Sequence, residues 1–209
     1  MAYLILHEGG TGEIEEKKSR FIATIRPVTT EEEARNFVDE MKKQYWDARH
    51  NCYAFILGEN ADIMRFSDDG EPGGTAGKPI LEVLSGSGVR NICCVVTRYF
   101  GGTLLGTGGL VRAYTDATKA GLDNCVIARR IPGVRMKIRV SYSDIGKVLF
   151  FLEERKMKQE SSDYAEDVCV EVLISAEVKD RFVKELTEAT AGRCELEELG
   201  RQEFDEIVL

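Results

Sequence analysis

Histidine, tryptophan and proline are scarce in this 209-residue chain, with 2, 1 and 4 copies. Two histidines, His7 and His50, and six cysteines with no Cys-x-x-Cys spacing leave no ligand set for a structural zinc ion. Cys52, Cys93, Cys94, Cys125, Cys169 and Cys194 sit mostly in apolar runs, as small buried residues do, so a disulfide framework is not expected. No apolar run approaches the ~18 residues of a membrane span. The first 20 residues show neither a basic leader region nor a small-residue cleavage site, and a cytoplasmic protein with no membrane contact is expected.

Positive charge is not in excess either. The chain carries 28 Lys and Arg against 36 Asp and Glu, a net charge of −8. Residues 1–133 hold 16 basic and 18 acidic side chains, whereas 134–209 hold 12 and 18. A field of that sign repels phosphate, so any nucleic-acid surface has to be a local patch on the first part. The acidic second part suits a protein contact better.

Glycine is what the chain has in abundance. Five of its 20 glycines, Gly101, Gly102, Gly106, Gly108 and Gly109, fall in one nine-residue window. Before them stands the β-branched apolar run 91–97, which reads as a buried strand. After them Leu110, Val111, Tyr114, Ala117, Thr118 and Leu122 recur at helical spacing. Strand, glycine loop and helix in that order aim free backbone N–H groups and a positive helix end at whatever lies above, which suits an anion. Arg98 and Arg112 add charge, and Tyr99 and Phe100 are available for stacking. The same glycines also serve a tight crossover beneath solvated arginines, and at this level both readings stand.

A second glycine-rich segment covers 67–78, where Asp68, Asp69, Gly70 and Glu71 precede Thr75 and Lys78. It is not a Walker loop. Pro79 occupies the Ser/Thr position, and only three residues separate Gly73 from Gly77 where the pattern needs four. Pro79 suits the first turn of a short helix over 80–84. The three acids offer oxygen ligands for Mg²⁺, although turn carboxylates are more commonly just solvated. His50 and Cys52 share a strand face, but side chains two apart stand ~7 Å from one another. With no third group in view to orient the histidine, a nucleophile and base pair is not expected.

Elsewhere strands are expected at 2–6, at 20–28 with Pro27 marking the end, at 48–58 and at 63–66, with the charged run 13–18 as a solvated turn. Thr30 followed by Glu31, Glu32 and Glu33 starts a capped helix running to about Tyr45. The first unit closes near 126–131, and Pro132-Gly133 marks the boundary. Beyond it come an alternating strand 134–142, a helix from the Ser143 cap to about Lys156, a polar strand 158–164, a strand 168–176, a helix 179–191, and one or two short strands in 194–209. That β-α-β-β-α-β order is the split βαβ arrangement of ferredoxin-like domains.

Four blocks carry a resemblance: residues 18–22 (KSRFI), 48–54 (ARHNCYA), 69–79 (DGEPGGTAGKP) and 96–114, from VTRYFGG through LGTGGLVRAY. Together they resemble the YigZ/IMPACT family, specifically its bacterial two-domain members. The resemblance implies an α+β chain of two domains. Residues 1–131 are then an IMPACT-type domain similar to the second-domain fold of ribosomal protein S5, and 134–209 a ferredoxin-like domain similar to one in elongation factor G. Eukaryotic members modulate a stress kinase by binding its activator, which implies a translation-associated partner. Candidate partners are RNA, the ribosome or a translation-regulatory protein.

The expectation is therefore a regulatory or binding protein rather than an enzyme, with no catalytic residue, cofactor or metal assigned. The binding residues expected are Gly70, Glu71, Thr75, Lys78, Arg98, Tyr99, Gly101, Gly102, Gly106, Gly108, Gly109 and Arg112. Lys17, Lys18 and Arg20 stand as further cations. The alternative is a phosphate- or nucleotide-binding enzyme, its anion at the Arg98 loop and Mg²⁺ at Asp68, Asp69 or Glu71. Fold kinship does not decide between them.

Overall fold

The computed structural model describes residues 2–157 and 159–208, an α+β chain that divides into two compact units, Tyr3–Arg129 together with 206–208, and Arg130–Asp205 together with Ala2. Among the described residues no helix is long and apolar enough to cross a membrane.

The Tyr3–Arg129 unit is built on a sheet of β2 (Gly10–Glu16), β3 (Ser19–Pro27), β4 (His50–Leu57), β5 (Ile63–Ser67) and β6 (Ile92–Tyr99), in the order β2-β3-β6-β4-β5 and antiparallel throughout. β1 (Tyr3–Glu8) precedes it. The central strand β6 is apolar on both faces because helices cover both. On one side α1 (Glu31–Gln44) lays Ala34, Phe37, Val38 and Met41 over Phe55, Cys93 and Val95. On the other, α2 (Gly77–Ser87) and α3 (Gly106–Leu122) pack Ile80, Leu84, Leu110, Ala113 and Ala117 against Ala23, Ile25, Ala54, Ile56 and Cys94.

The capping-box reading holds at α1. Thr30 Oγ1 accepts from the Glu33 backbone N–H at 3.1 Å, and the Glu33 carboxylate reaches back to the backbone N–H of Thr29 at 2.6 Å. Elsewhere in this unit the structure corrects three local expectations. The run 13–18 is no loose turn but β2 and a tight corner at Lys17 and Lys18, both with positive φ. Its alternation is hard to see because two inward-facing positions, Gly10 and Gly12, carry no side chain and only Ile14 is apolar: a Cβ on Gly12 would lie 2.3 Å from the Ala120 carbonyl carbon, so α3 admits nothing larger there. The helix expected over 80–84 extends across Gly77–Ser87, and α3 starts at Gly106, taking three of the five clustered glycines into its first turn.

The Arg130–Asp205 unit runs β7 (Val126–Val140), α4 (Ile145–Glu154), β8 (Gln159–Tyr164), β9 (Val168–Ser175), α5 (Lys179–Ala189) and β10 (Cys194–Ile207). The β-α-β-β-α-β order read from the sequence is present. β7 pairs with β9 and with β10, and β9 pairs with β8. Val134, Met136, Ile138 and Val140 of β7 and Val168, Val170, Val172 and Ile174 of β9 turn one face inward beneath Val148, Phe151, Leu152, Phe182 and Leu186. Pro132 and Gly133 lie inside β7. Asp144, not Ser143, occupies the cap position of α4, and Ser143 Oγ bonds Ser141 Oγ instead. The C-terminal region forms one 14-residue strand rather than short pieces. Lys158, expected to open β8, and Leu209 lie outside the described residues.

Candidate functional site

The apolar face beneath α2 and α3 ends abruptly. Along β6 it presents Ile92, Cys94 and Val96 and then Arg98, while β4 opposes these with Ile56, Ala54, Cys52 and then His50. Period-2 geometry therefore sets an arginine and a histidine at the same sheet end, in line with the core. Arg98 is only 6% exposed. Its Nη1 donates to Oε1 of Glu71 at 2.6 Å, and the Tyr114 hydroxyl of α3 donates to the same oxygen at 2.9 Å. The guanidinium also lies over the rings of Phe21 and Phe100, with its centre 5.4 and 5.7 Å from their centroids. Its Nε is buried without a hydrogen-bond partner.

Two further groups close the cluster. Cys52 Sγ lies 3.0 Å from the Asp68 carbonyl oxygen and 3.3 Å from the Tyr114 hydroxyl. His50 Nδ1 is 2.8 Å from the carbonyl oxygen of Asp69, so that nitrogen carries the proton, and Nε2 faces Glu71 Oε1 at 4.0 Å. The sequence showed no group to orient His50; a backbone carbonyl does it. Burial pushes the Cys52 thiol well above its ordinary value, and burial together with the neighbouring thiol does the same to the Tyr114 hydroxyl. Both stay protonated at neutral pH, which leaves Cys52 without the thiolate a nucleophile needs.

The second glycine segment folds around a carboxylate of its own. Asp68 Oδ1 accepts from the backbone N–H groups of Ala76 (3.0 Å) and Gly77 (2.8 Å), and Oδ2 accepts from Gly74 (2.8 Å). The anion at the start of α2, whose cap residue Ala76 has no capping side chain, is thus supplied from within the chain. Asp69 turns elsewhere, accepting from the Asn51 N–H and from Lys42 Nζ, each at 2.7 Å. With Glu71 bound to Arg98, the three acids point three ways. Among the described residues no three His, Cys, Asp or Glu side chains converge to hold a metal.

The structure joins Glu71 and Arg98 from the expected set, and so ties the two glycine segments together through a buried ion pair. Gly70 sits over the His50 ring, where an added Cβ would stand 3.5 Å from it. Thr75 is buried and bonds the Pro72 carbonyl at 2.7 Å. The Tyr99 hydroxyl donates to Asp47 at 2.8 Å. Gly101 is demanded by packing, since a Cβ there would lie 2.0 Å from the Lys18 carbonyl carbon. Gly102 and Gly106 have left-handed φ of 86° and 70°, and Gly109 packs on Leu105. Only Gly108 of the five has neither a positive φ nor a neighbour that a side chain would meet. Lys78, exposed, reaches Glu82 at 3.9 Å, and exposed Arg112 stays outside the Glu71 cluster.

Sequence reasoning missed Tyr114, which reads as one more apolar position of a helical stripe, and Asp68, which reads as a solvated turn acid. Capping from six to nine residues upstream has no short-range signature.

At this level the fold and cluster can be set beside known proteins. Residues 17–122 match the Impact N-terminal domain, and residues 138–193 match a domain of unknown function, DUF1949. The chain is 40% identical over 198 residues to the Bacillus subtilis IMPACT family member YvyE, covering 94% of this chain and 91% of that one. The chain belongs to the IMPACT family. The Escherichia coli IMPACT family member YigZ is 38% identical over 182 residues, covering 86% and 89% of the two chains. A protein IMPACT homolog of Dictyostelium discoideum is 40% identical over 97 residues, covering 44% of this chain and 28% of its own length. A solved structure described as that of a hypothetical protein superposes with a TM-score of 0.61 at 36% identity, covering 95% of this chain and 98% of its own. The Impact N-terminal match contains His50, Cys52, Asp68, Glu71, Arg98 and Tyr114, so the whole polar cluster belongs to the part that carries the family name.

Proposed function

We propose that this IMPACT-family member is a non-enzymatic, translation-associated binding protein of the cytoplasm. Its first domain, residues 1–131, contacts RNA, the ribosome or a translation-regulatory protein through a basic surface beside the glycine loops. The acidic second domain, residues 134–209, makes a protein contact. The supporting observation is the disposition of charge at one end of the Tyr3–Arg129 unit. Asp68, Asp69 and Glu71 are turned inward onto backbone N–H groups, Lys42, Arg98 and Tyr114. Lys17, Lys18, Lys43, Arg49 and Arg112 are exposed and carry no ion pair among the described residues. A chain of net charge −8 thus keeps a local cationic surface in the half that matches the Impact N-terminal domain.

The inward acids and the protonated Cys52 speak against the alternative, an Mg²⁺-dependent phosphate or nucleotide enzyme. Sedimentation of the purified chain with ribosomes and with total RNA tests the proposal. Retention at low salt that is lost as salt rises is expected; absence of retention from both samples at low salt would refute contact with RNA and the ribosome and leave a protein partner alone.

A further inference from the structure

We propose that Trp46 is a stacking platform on which single-stranded RNA lays a base, at the end of the Tyr3–Arg129 unit where the unpaired cations gather. The inference rests on the binding role given to that end and names its ligand class. Trp46 is the chain's one tryptophan and is 82% exposed. Nothing in the fold calls for it. α1 already buries Ala34, Phe37, Val38 and Met41, and Trp46 lies beyond the Tyr45 cap of that helix. An aromatic side chain of this size normally buries much of its surface, so an exposed one is a contact in waiting.

Its surroundings select the partner. Asp47 accepts from Tyr99 at 2.8 Å and pins the turn after α1 against the end of β6. Phe100 follows, 42% exposed, and Gly101 donates to Ser19 Oγ at 3.1 Å, which brings the Lys17-Lys18 corner to the same end. Lys43 lies in the last turn of α1, and Arg49 directly precedes β4. These four cations lack ion pairs among the described residues, while of the acids on these segments Asp47 is held by Tyr99 and Glu13 by Arg20. Glu15 and Glu16 are exposed acids, and Asp47 is a third because a phenol hydrogen bond brings no charge to offset it, so four cations face three acids. Cations without partners around an uncovered aromatic face match a phosphate backbone with unstacked bases. A duplex keeps its base faces covered and offers the indole nothing to stack on.

The test uses the full chain at low salt and a fluorescently labelled ten-residue oligouridylate, with a duplex RNA of equal length as comparison. Binding is read by anisotropy, and stacking by quenching of intrinsic tryptophan fluorescence, which reports Trp46 alone. Saturable quenching with the oligouridylate is expected. Trp46→Ala should weaken anisotropy-detected binding by about 10- to 100-fold, Trp46→Phe by only a few-fold, and both variants should keep the wild-type melting temperature. Binding without quenching and untouched by Trp46→Ala, or binding to the duplex alone, overturns the platform while leaving the general binding role intact. If neither RNA binds, the platform is overturned, and ribosome sedimentation decides the broader reading separately.

Discussion

Arg98 Nη1 lies 2.6 Å from Glu71 Oε1, with the two side chains 8% and 3% exposed. This one ion pair fastens the strand that leads into the first glycine segment to the loop that carries the second. Removing one partner of a buried pair strands the other charge, at a cost of about 3–5 kcal/mol. Glu71→Ala and Arg98→Ala should each lower stability on that scale, and the double variant Glu71→Met with Arg98→Met should recover most of it. Urea unfolding midpoints of the three check this. Single variants that lose clearly less than about 3 kcal/mol, the lower bound of that range, would show that the pair is not closed in solution.

Asp68 carries a comparable structural duty. Its carboxylate accepts three backbone N–H groups at the entry to α2, so Asp68→Ala should cost about 1–2 kcal/mol or more. Amide exchange at Gly74, Ala76 and Gly77 should rise with it. Unchanged protection at those amides would contradict the assignment.

Gly108 separates packing from function. Having no left-handed φ and no neighbour for a Cβ to meet, it is a glycine that the helix would be better without. Gly108→Ala should stabilise the chain by about 0.5–1 kcal/mol, whereas Gly101→Ala should destabilise it. If Gly108→Ala also abolishes RNA or ribosome retention while melting higher, close approach of a ligand to that backbone is the reason the glycine is there.

Stability should fall as the solution becomes alkaline. Burial raises the Cys52, Cys93, Cys94 and Tyr114 groups strongly and pushes the Cys125 thiol up to about 11. A raised folded-state value gives stability that is whole below the unfolded thiol value of ~8.5 and is lost as pH climbs through the folded one. Urea midpoints should therefore drop steadily from about pH 8.5 toward pH 11, and Cys125→Ser should shrink the drop. On the acid side, Arg193 first and then Lys147 hold the Asp144 carboxyl well below its usual range. Its contribution is present above about pH 4 and fades below, so Asp144→Asn should flatten the acid limb.

How far the sequence could be read follows from the range of each interaction. The Thr30–Glu33 cap and the alternation of β7 and β9 are local patterns and were legible. β2 was not, because Gly10 and Gly12 stand at inward positions where the end of α3 comes close, which leaves Ile14 alone to carry the strand's apolar alternation. At the site, Glu71 and Arg98 stood out by type, yet their pairing joins residues 27 apart in sequence and depends on sheet register. Tyr114 was hidden for the opposite reason: its ring belongs to the apolar stripe, and only its hydroxyl enters the polar cluster.

The central claim is that the cationic end of the Tyr3–Arg129 unit holds a nucleic-acid or ribosomal partner. Its most direct test is the salt dependence of RNA binding by the wild-type chain and by Lys17→Ala, Lys18→Ala and Arg112→Ala. A steep fall of affinity with salt is expected, with the log–log slope reduced by roughly 0.7 for each cation removed. Binding that is indifferent to salt, or slopes identical across the variants, would contradict the account.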